Sequence, residues 1–81
     1  MIMRESRKLI RRRLKDCTRT EYFAFVNDAN LSIVQRAVLD FFILDRLPVS
    51  EIAFRLSYCE SLVRLRLSEA YDKIAKSLAF Y

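Results

Sequence analysis

Apolar and basic residues alternate along the first part of the chain with the period of an α-helix. On a wheel turned by about 100° per residue, they fall on opposite sides across positions 2–17. The apolar side holds Ile2, Met3, Leu9, Ile10, Leu14 and Cys17, and the basic side holds Arg4, Lys8, Arg11, Arg12 and Lys15. The pattern predicts a basic amphipathic helix.

A capping box indicates where the next helix begins. Thr18 stands three residues before Glu21, so its hydroxyl is placed to accept from the Glu21 backbone N–H while the Glu21 carboxylate accepts from the N–H of Thr18. We expect a short helix from there through Val26. Residues 27–30 predict a loop, because Asn and Asp side chains bond their own backbone.

A second capping box, Ser32 with Gln35, predicts a helix that runs to about Arg46. Its apolar residues are Ile33, Val34, Ala37, Val38, Leu39, Phe41, Phe42, Ile43 and Leu44. A helix that is apolar nearly all round is expected at the centre of the core. Pro48 cannot continue this helix but suits the first turn of another.

The last part of the chain predicts a short helix at residues 49–57, a tight turn at residues 57–59 and a longer helix at residues 60–79. The longer helix carries one apolar stripe, formed by Val63, Leu67, Ala70, Ile74 and Leu78. A short helix, a turn of about three residues and a longer helix form the outline of a helix-turn-helix.

Composition excludes most enzyme classes. The 81 residues are 53% hydrophobic and 31% charged, which fits one small folded domain, and they include no glycine and no histidine. Glycine-rich phosphate loops and histidine-based acid–base machinery are therefore absent. Cys17 and Cys59 form no CxxC pair, and a zinc-type site needs four Cys or His ligands at close spacing, so no metal site is expected. We expect no enzyme, cofactor, metal or small-molecule substrate, and two free thiols in a reducing cytoplasm.

The positive charge lies at one end of the chain. Residues 1–20 contain eight basic and two acidic side chains, whereas residues 21–81 contain seven basic and eight acidic ones. The net charge of +5 therefore comes entirely from the first segment. Such an asymmetry favours a polyanionic partner, either nucleic acid or an anionic membrane surface.

Four short motifs follow one another without a gap in residues 31–78, which is about 48 of the 81 residues. They are Leu31 and Ser32 with Gln35 and Arg36; Glu51, Ile52 and Ala53 with Leu56; Glu60, Ser61, Leu62, Val63 and Arg64 with Arg66; and Ala70 with Lys73 and Ile74. This series resembles the fourth, promoter-reading region of bacterial sigma factors and of related phage and mobile-element regulators. The resemblance implies a helix-turn-helix that binds double-stranded DNA, with RNA polymerase as a further partner.

The sequence departs from that family at the helix ends. Arg46 stands where the family usually has Gly, so a left-handed helix end is expected to be strained or absent there. Ser57 replaces the glycine of the turn, and Cys59 replaces the usual Ser or Thr cap.

The candidate base-reading residues are Ser61, Arg64, Leu65 and Ser68, which lie away from the apolar stripe on the first half of the longer helix. Arg64 has the chemistry for a bidentate contact to guanine. The resemblance implies the same role, since a Lys or Arg at this position contacts DNA in the family.

Phosphate contacts are expected from Arg55 and Arg66, and from the basic side of the first helix with Arg4, Lys8, Arg11, Arg12 and Lys15. The alternative for Arg64 and Arg66 is a solvated face with weak ion pairs to Glu60 or Glu69. The first helix could instead pack as an oligomerisation helix or lie on a membrane. The membrane role is disfavoured because its apolar side is small and carries no Trp or Phe.

These inferences combine into one prediction. The chain is expected to be all-α, with residues 1–30 as a basic helical arm and residues 31–81 as the helix-turn-helix domain. We predict a sequence-specific DNA-binding regulator of transcription from a phage, plasmid or mobile element. A homodimer is expected, because the core is small and Ile33, Val34 and Phe42 are surplus apolar surface. The alternative function is a protein-interaction module, either RNA polymerase-binding or a phage packaging subunit.

Overall fold

A computed structural model describes the backbone of residues 4–79 and the side chains of residues 8–77. Over these residues the chain forms five α-helices and no strand. The helices are α1 (Arg4–Asp16), α2 (Arg19–Ala29), α3 (Ile33–Ile43), α4 (Val49–Leu56) and α5 (Glu60–Ala79). The predicted all-α class is confirmed.

Both predicted capping boxes are present. The Thr18 hydroxyl accepts from the Glu21 backbone N–H at 3.2 Å, and the Thr18 N–H donates to Glu21 Oε1 at 3.1 Å. Ser32 and Gln35 make the same reciprocal pair at 3.2 and 3.0 Å. Each box satisfies backbone donors that a helix N-terminus leaves without a partner, so these two helix starts follow from local sequence.

The predicted loop at residues 27–30 is wrong for its first three residues, because α2 continues to Ala29. Ala29 is buried three residues after Val26, so the extra turn buries one more side chain in the core. The helix ends where Asn30 takes the left-handed conformation, with φ of 55°. Asn tolerates this conformation better than most residues, which explains the position of the helix end.

The helix α3 ends at Ile43, earlier than the predicted end near Arg46. Arg46 adopts the left-handed conformation, with φ of 55°, and the N–H of Leu47 donates to the carbonyl of Phe41 at 3.0 Å. The chain thereby turns before Pro48, which precedes α4 in an extended conformation. Of the two outcomes expected at Arg46, a strained left-handed helix end or none, the strained end is present.

The turn between α4 and α5 is closed by backbone hydrogen bonds. Ser57 is left-handed with φ of 57°; its N–H donates to the Phe54 carbonyl at 3.3 Å, and the Tyr58 N–H donates to the Ala53 carbonyl at 2.9 Å. This paired arrangement satisfies two carbonyls at the end of α4. The helix α5 then begins at Glu60, as predicted.

The central helix is α5, which contacts each of the other four helices in the described part of the chain. The predicted stripe is buried at Val63, Leu67, Ala70 and Ile74, whereas Leu78 lies outside the described side chains. The longest helix therefore forms the axis around which the shorter ones pack.

The central position predicted for α3 is wrong. Val38, Leu39 and Ile43 are buried, but Phe41 and Phe42 are only half-buried and Ile33 is 89% exposed. So small a domain has too little chain to cover an 11-residue helix on every side. Of the 11 residues of α3, only Ile33 at its start is exposed, four are buried and the others are half-buried.

The first helix packs onto the others. Ile10 and Leu14 are buried in the same cluster as Val38 and Ile74, whereas Leu9 is 63% exposed. Tyr22 of α2 is also in this cluster. The segment that carries the excess positive charge is thus held against α5 of the same chain by apolar contacts.

Candidate nucleic-acid interface

The outward face of α5 presents the four candidate base-reading residues as one strip. Ser61, Arg64 and Leu65 are exposed, and Ser68 is half-buried. They lie away from the buried stripe of α5 on its N-terminal half. We call these four residues the α5 strip. It carries one guanidinium, two hydroxyls and one apolar side chain, a combination able to contact base edges and thymine methyl groups.

Arg64 forms an ion pair within its own helix. Its Nη2 lies 3.2 Å from Glu60 Oε1, and the side chains are 63% and 50% exposed. An exposed pair of this kind contributes only about 0–1 kcal/mol, because water and salt screen it. The guanidinium can therefore exchange Glu60 for another acceptor at small cost. The ion pair with Glu60 that the alternative for Arg64 predicts is present.

Arg66 is fixed more firmly than the sequence suggests. Its Nη1 donates to Glu69 Oε1 at 2.7 Å, and the same oxygen accepts from Nε2 of Gln35 at 3.2 Å. Hydrogen bonds from Arg66 and then Gln35 lower the pKa of the Glu69 carboxyl below its ordinary value. Gln35 is buried and also completes the cap of α3. Glu69 thus joins α5 to the start of α3, and its contact with Arg66 reduces the availability of the Arg66 guanidinium for phosphate.

Arg55 lies on the surface of α4. Its Nε is 3.3 Å from Glu51 Oε1, and its Cζ lies 6.0 Å from the centre of the Phe41 ring. The half-exposed pair is as weak as that of Arg64. All three candidate DNA-contacting arginines of α4 and α5 therefore have a carboxylate partner in the unbound protein.

The basic residues of α1 are placed differently. Lys8, Arg11, Arg12 and Lys15 are exposed, and the side chain of Arg4 lies outside the described residues. Cζ of Arg11 and Nζ of Lys15 lie 5.2 and 5.3 Å from the centre of the Phe42 ring. These distances are those of cation–π contacts, which hold a charge on an aromatic face without neutralising it.

The basic residues of α1 divide between two sides of the helix. Arg11 and Lys15 lie on the side of α3, whereas Arg12 and Arg13 line a groove against α2. Arg13 stands over Phe25 at 5.5 Å. The sequence does not single out Arg13, because its place against α2 follows from how α1 packs.

The α5 strip ends before a buried residue of the same helix. Tyr71 follows Arg64 and Ser68 on the same row of the helix, and it is buried. Burial raises the pKa of Tyr71 to about 12, against a smaller opposing effect of the Arg11 charge. Helix α1 also packs against α5, with Ile10 and Leu14 in the same buried cluster as Tyr71.

Within the described residues, no three His, Cys, Asp or Glu side chains are placed to hold a metal ion. None of the helices in the described chain has the length and apolarity to cross a membrane. Comparisons of the chain with protein-family models, curated proteins and solved structures found no match.

Proposed function

We propose that this protein binds double-stranded DNA through α4, the turn and α5, and acts as a transcriptional regulator of a phage, plasmid or mobile element. The observation that carries the proposal is the α5 strip, which exposes Arg64 between Ser61, Leu65 and Ser68 on the helix that follows a short helix and a tight turn. A helix exposed in this way enters a major groove with its N-terminal half. The resemblance of residues 31–78 to sigma region four supports the same assignment.

The proposal divides the work between two surfaces. Arg64 reads a base when it exchanges Glu60 for guanine O6 and N7, and α1 supplies attraction to the phosphate backbone. The packing of α1 against α5 supports this division, since it holds the basic helix on the helix that carries the α5 strip. Phosphate contacts then flank the groove that α5 enters.

The experiment that tests the proposal is selection of bound sequences from random duplex DNA, followed by footprinting on the selected duplex. The expected result is one preferred sequence, whose enrichment is lost in Arg64→Ala. The matched control is Lys76→Ala, which removes an exposed positive charge from the same helix outside the strip. Selection that enriches no sequence, with binding displaced equally by any duplex, would overturn the proposal.

A second function, a protein-interaction module, is favoured by one observation. Phe54 on α4 is 82% exposed and Ile33 on α3 is 89% exposed. Large apolar side chains in solvent are typical of surfaces that bind another protein, here RNA polymerase, a packaging complex or a second copy of the chain. Light scattering at high micromolar concentration tests the homodimer, with Ile33→Asp expected to give a monomer.

A further inference from the structure

Between α1 and the segment that joins α3 to α4 lies a surface cleft of about 470 Å³. Its charged side chains are Arg11, Lys15 and Arg46 against one carboxylate, Asp16, and the Phe42 ring lies among them. We call this site the basic cleft. Pockets of about 300–1,000 Å³ are of the size that holds small molecules. The basic cleft is thus large enough for a phosphate group with part of its parent molecule.

Two of the cations are held over one ring. The charged ends of Arg11 and Lys15 both lie within 5.3 Å of the centre of Phe42. They are four residues apart on α1, a spacing at which like charges repel. The carboxylates that form ion pairs among the described side chains lie on α3, α4 and α5, and none of them lines the cleft. A bound anion would offset this repulsion.

The third cation of the cleft, Arg46, has an unfavourable backbone conformation. Arg46 has φ of 55°, a region that Gly enters without the steric penalty of a Cβ. Residues held in such conformations concentrate at ligand sites, where the surrounding structure compensates the strain. Here the strained residue carries a guanidinium, the side chain best suited to bidentate contact with phosphate oxygens.

We propose that the basic cleft binds a phosphate group, with Arg46 and Arg11 donating hydrogen bonds to its oxygens and Lys15 adding charge. Two sources share this chemistry: a backbone phosphate of DNA that lies on the α5 strip, and a free phosphorylated small molecule. The DNA source rests on the proposed function. The free source does not, so the site can be tested apart from DNA binding.

The first experiment titrates the full chain with sodium pyrophosphate and follows backbone amide signals of residues 42–47 by NMR. Saturable shifts are expected, and sodium chloride at equal ionic strength is expected to give none. Arg46→Gly should weaken pyrophosphate binding by about tenfold, since one charge-assisted contact is lost. The matched control, Ser57→Gly, relieves the same backbone conformation without removing a cation and should bind as the parent does. Asp16→Asn should bind more tightly.

The second experiment measures the salt dependence of binding to duplex DNA for Lys15→Gln and for Arg46→Gly. The control is Lys76→Gln, which removes an exposed charge that lies outside both the basic cleft and the α5 strip. If the cleft holds a backbone phosphate, each cleft variant lowers the slope of log affinity against log salt by up to about 0.9 more than the control does.

The outcomes separate the two sources. Pyrophosphate shifts with an unchanged DNA slope assign the cleft to a free ligand, and a changed slope assigns it to DNA. Absence of pyrophosphate shifts together with equal slopes for cleft and control variants would overturn the proposed site. If the selection experiment enriches no sequence, the proposed function is contradicted. The pyrophosphate titration still tests the cleft by itself.

Discussion

The cations of α4 and α5 have carboxylate partners, whereas two cations of α1 lie on an aromatic ring. Arg55, Arg64 and Arg66 each contact a carboxylate three or four residues away on their own helix. Arg11 and Lys15 instead lie on the face of Phe42. A carboxylate cancels most of the field of a cation at a distance, whereas an aromatic ring leaves the net charge in place.

This difference indicates how the two regions share the proposed task. Residues 21–81 contain one more acidic than basic side chain, so that part of the chain has no general attraction to a polyanion. In the proposed function, the positive charge that attracts DNA is on α1. Arg64, the exposed arginine of the α5 strip, would distinguish one DNA sequence from another. Affinity and preference should therefore respond to different substitutions.

The largest effect is expected from Leu14→Ala, because Leu14 is 2% exposed in the shared core. The substitution should lower the free energy of unfolding by about 2–5 kcal/mol through lost burial and a cavity. Leu9→Ala, on the same helix but 63% exposed, should change it little. Urea denaturation measures both, and equal effects would mean that α1 is an arm rather than part of the core.

The charges of α1 cannot be tested by deletion of the helix. Deletion of residues 1–16 would remove Ile10 and Leu14 from the core together with the charges. Charge substitutions on α1 separate the two effects, because Arg11 and Lys15 are exposed.

The next effect is expected from Arg64→Ala. It should reduce discrimination between the preferred and a mismatched duplex by about 1–3 kcal/mol, because the bidentate contact to a base is lost. Fluorescence anisotropy with both duplexes measures this quantity. Arg66→Ala should instead lower stability, since Arg66 holds the Glu69 carboxylate that accepts from Gln35 of α3. If Arg64→Ala lowered stability and Arg66→Ala lowered discrimination, Arg66 rather than Arg64 would be the base-reading residue.

A smaller effect is expected where the two regions meet. Among the described groups, the buried Tyr71 hydroxyl has no hydrogen-bond partner, so Tyr71→Phe should raise the free energy of unfolding by about 1 kcal/mol. Tyr22→Phe should lower it by a similar amount, because the Tyr22 hydroxyl donates to Asp40 Oδ1 at 2.5 Å. Thermal melts of the two variants check these opposite signs.

Tyr71 also predicts a dependence on alkaline pH. Its pKa is raised to about 12, so its neutral form contributes stability that is complete below the unfolded pKa of about 10. That contribution is lost as pH rises from about 10 to about 12, since the unfolded state ionises first. Tyr71→Phe should therefore gain on the parent as pH increases through this window. A constant difference between the two proteins would contradict the assignment.

The smallest effect is expected from Arg46→Gly, which should raise the free energy of unfolding by about 1 kcal/mol because glycine accepts the left-handed conformation. Ser57→Gly should do the same. Chemical denaturation measures both. If Arg46→Gly lowered the free energy of unfolding and Ser57→Gly did not, the Arg46 guanidinium would have a structural role and not a ligand-binding one.

The sequence predicted what depends on neighbouring residues. The boxes at Thr18 and Ser32 are local hydrogen-bond patterns, and the stripe from Val63 to Ile74 follows the helical period. The end of α2 was not predictable, because burial of Ala29 outweighs the preference of Asn and Asp for loops.

Features that depend on packing were not predictable either. The basic cleft needs Phe42, Arg11 and Arg46 to meet across three segments, and no spacing along the chain indicates this. The one signal was Arg46 in a position where the resembling family has glycine, which pointed to strain but not to a ligand. The α5 strip followed from the wheel, whereas the anchoring of Arg66 by Glu69 and Gln35 depends on how α3 meets α5.

The central claim is that α1 provides affinity while the α5 strip provides preference. The most direct test measures affinity for the selected duplex and a mismatched one from low to moderate salt. The proteins compared are the parent, Arg64→Ala and the double variant with Arg11→Gln and Lys15→Gln. The double variant is expected to lower the slope of log affinity against log salt by about 2 with its preference unchanged, since each charge lost releases about one counterion fewer. Arg64→Ala is expected to lose preference while keeping most of the slope. A double variant with the parent's slope, or one that loses preference as Arg64→Ala does, would contradict the account.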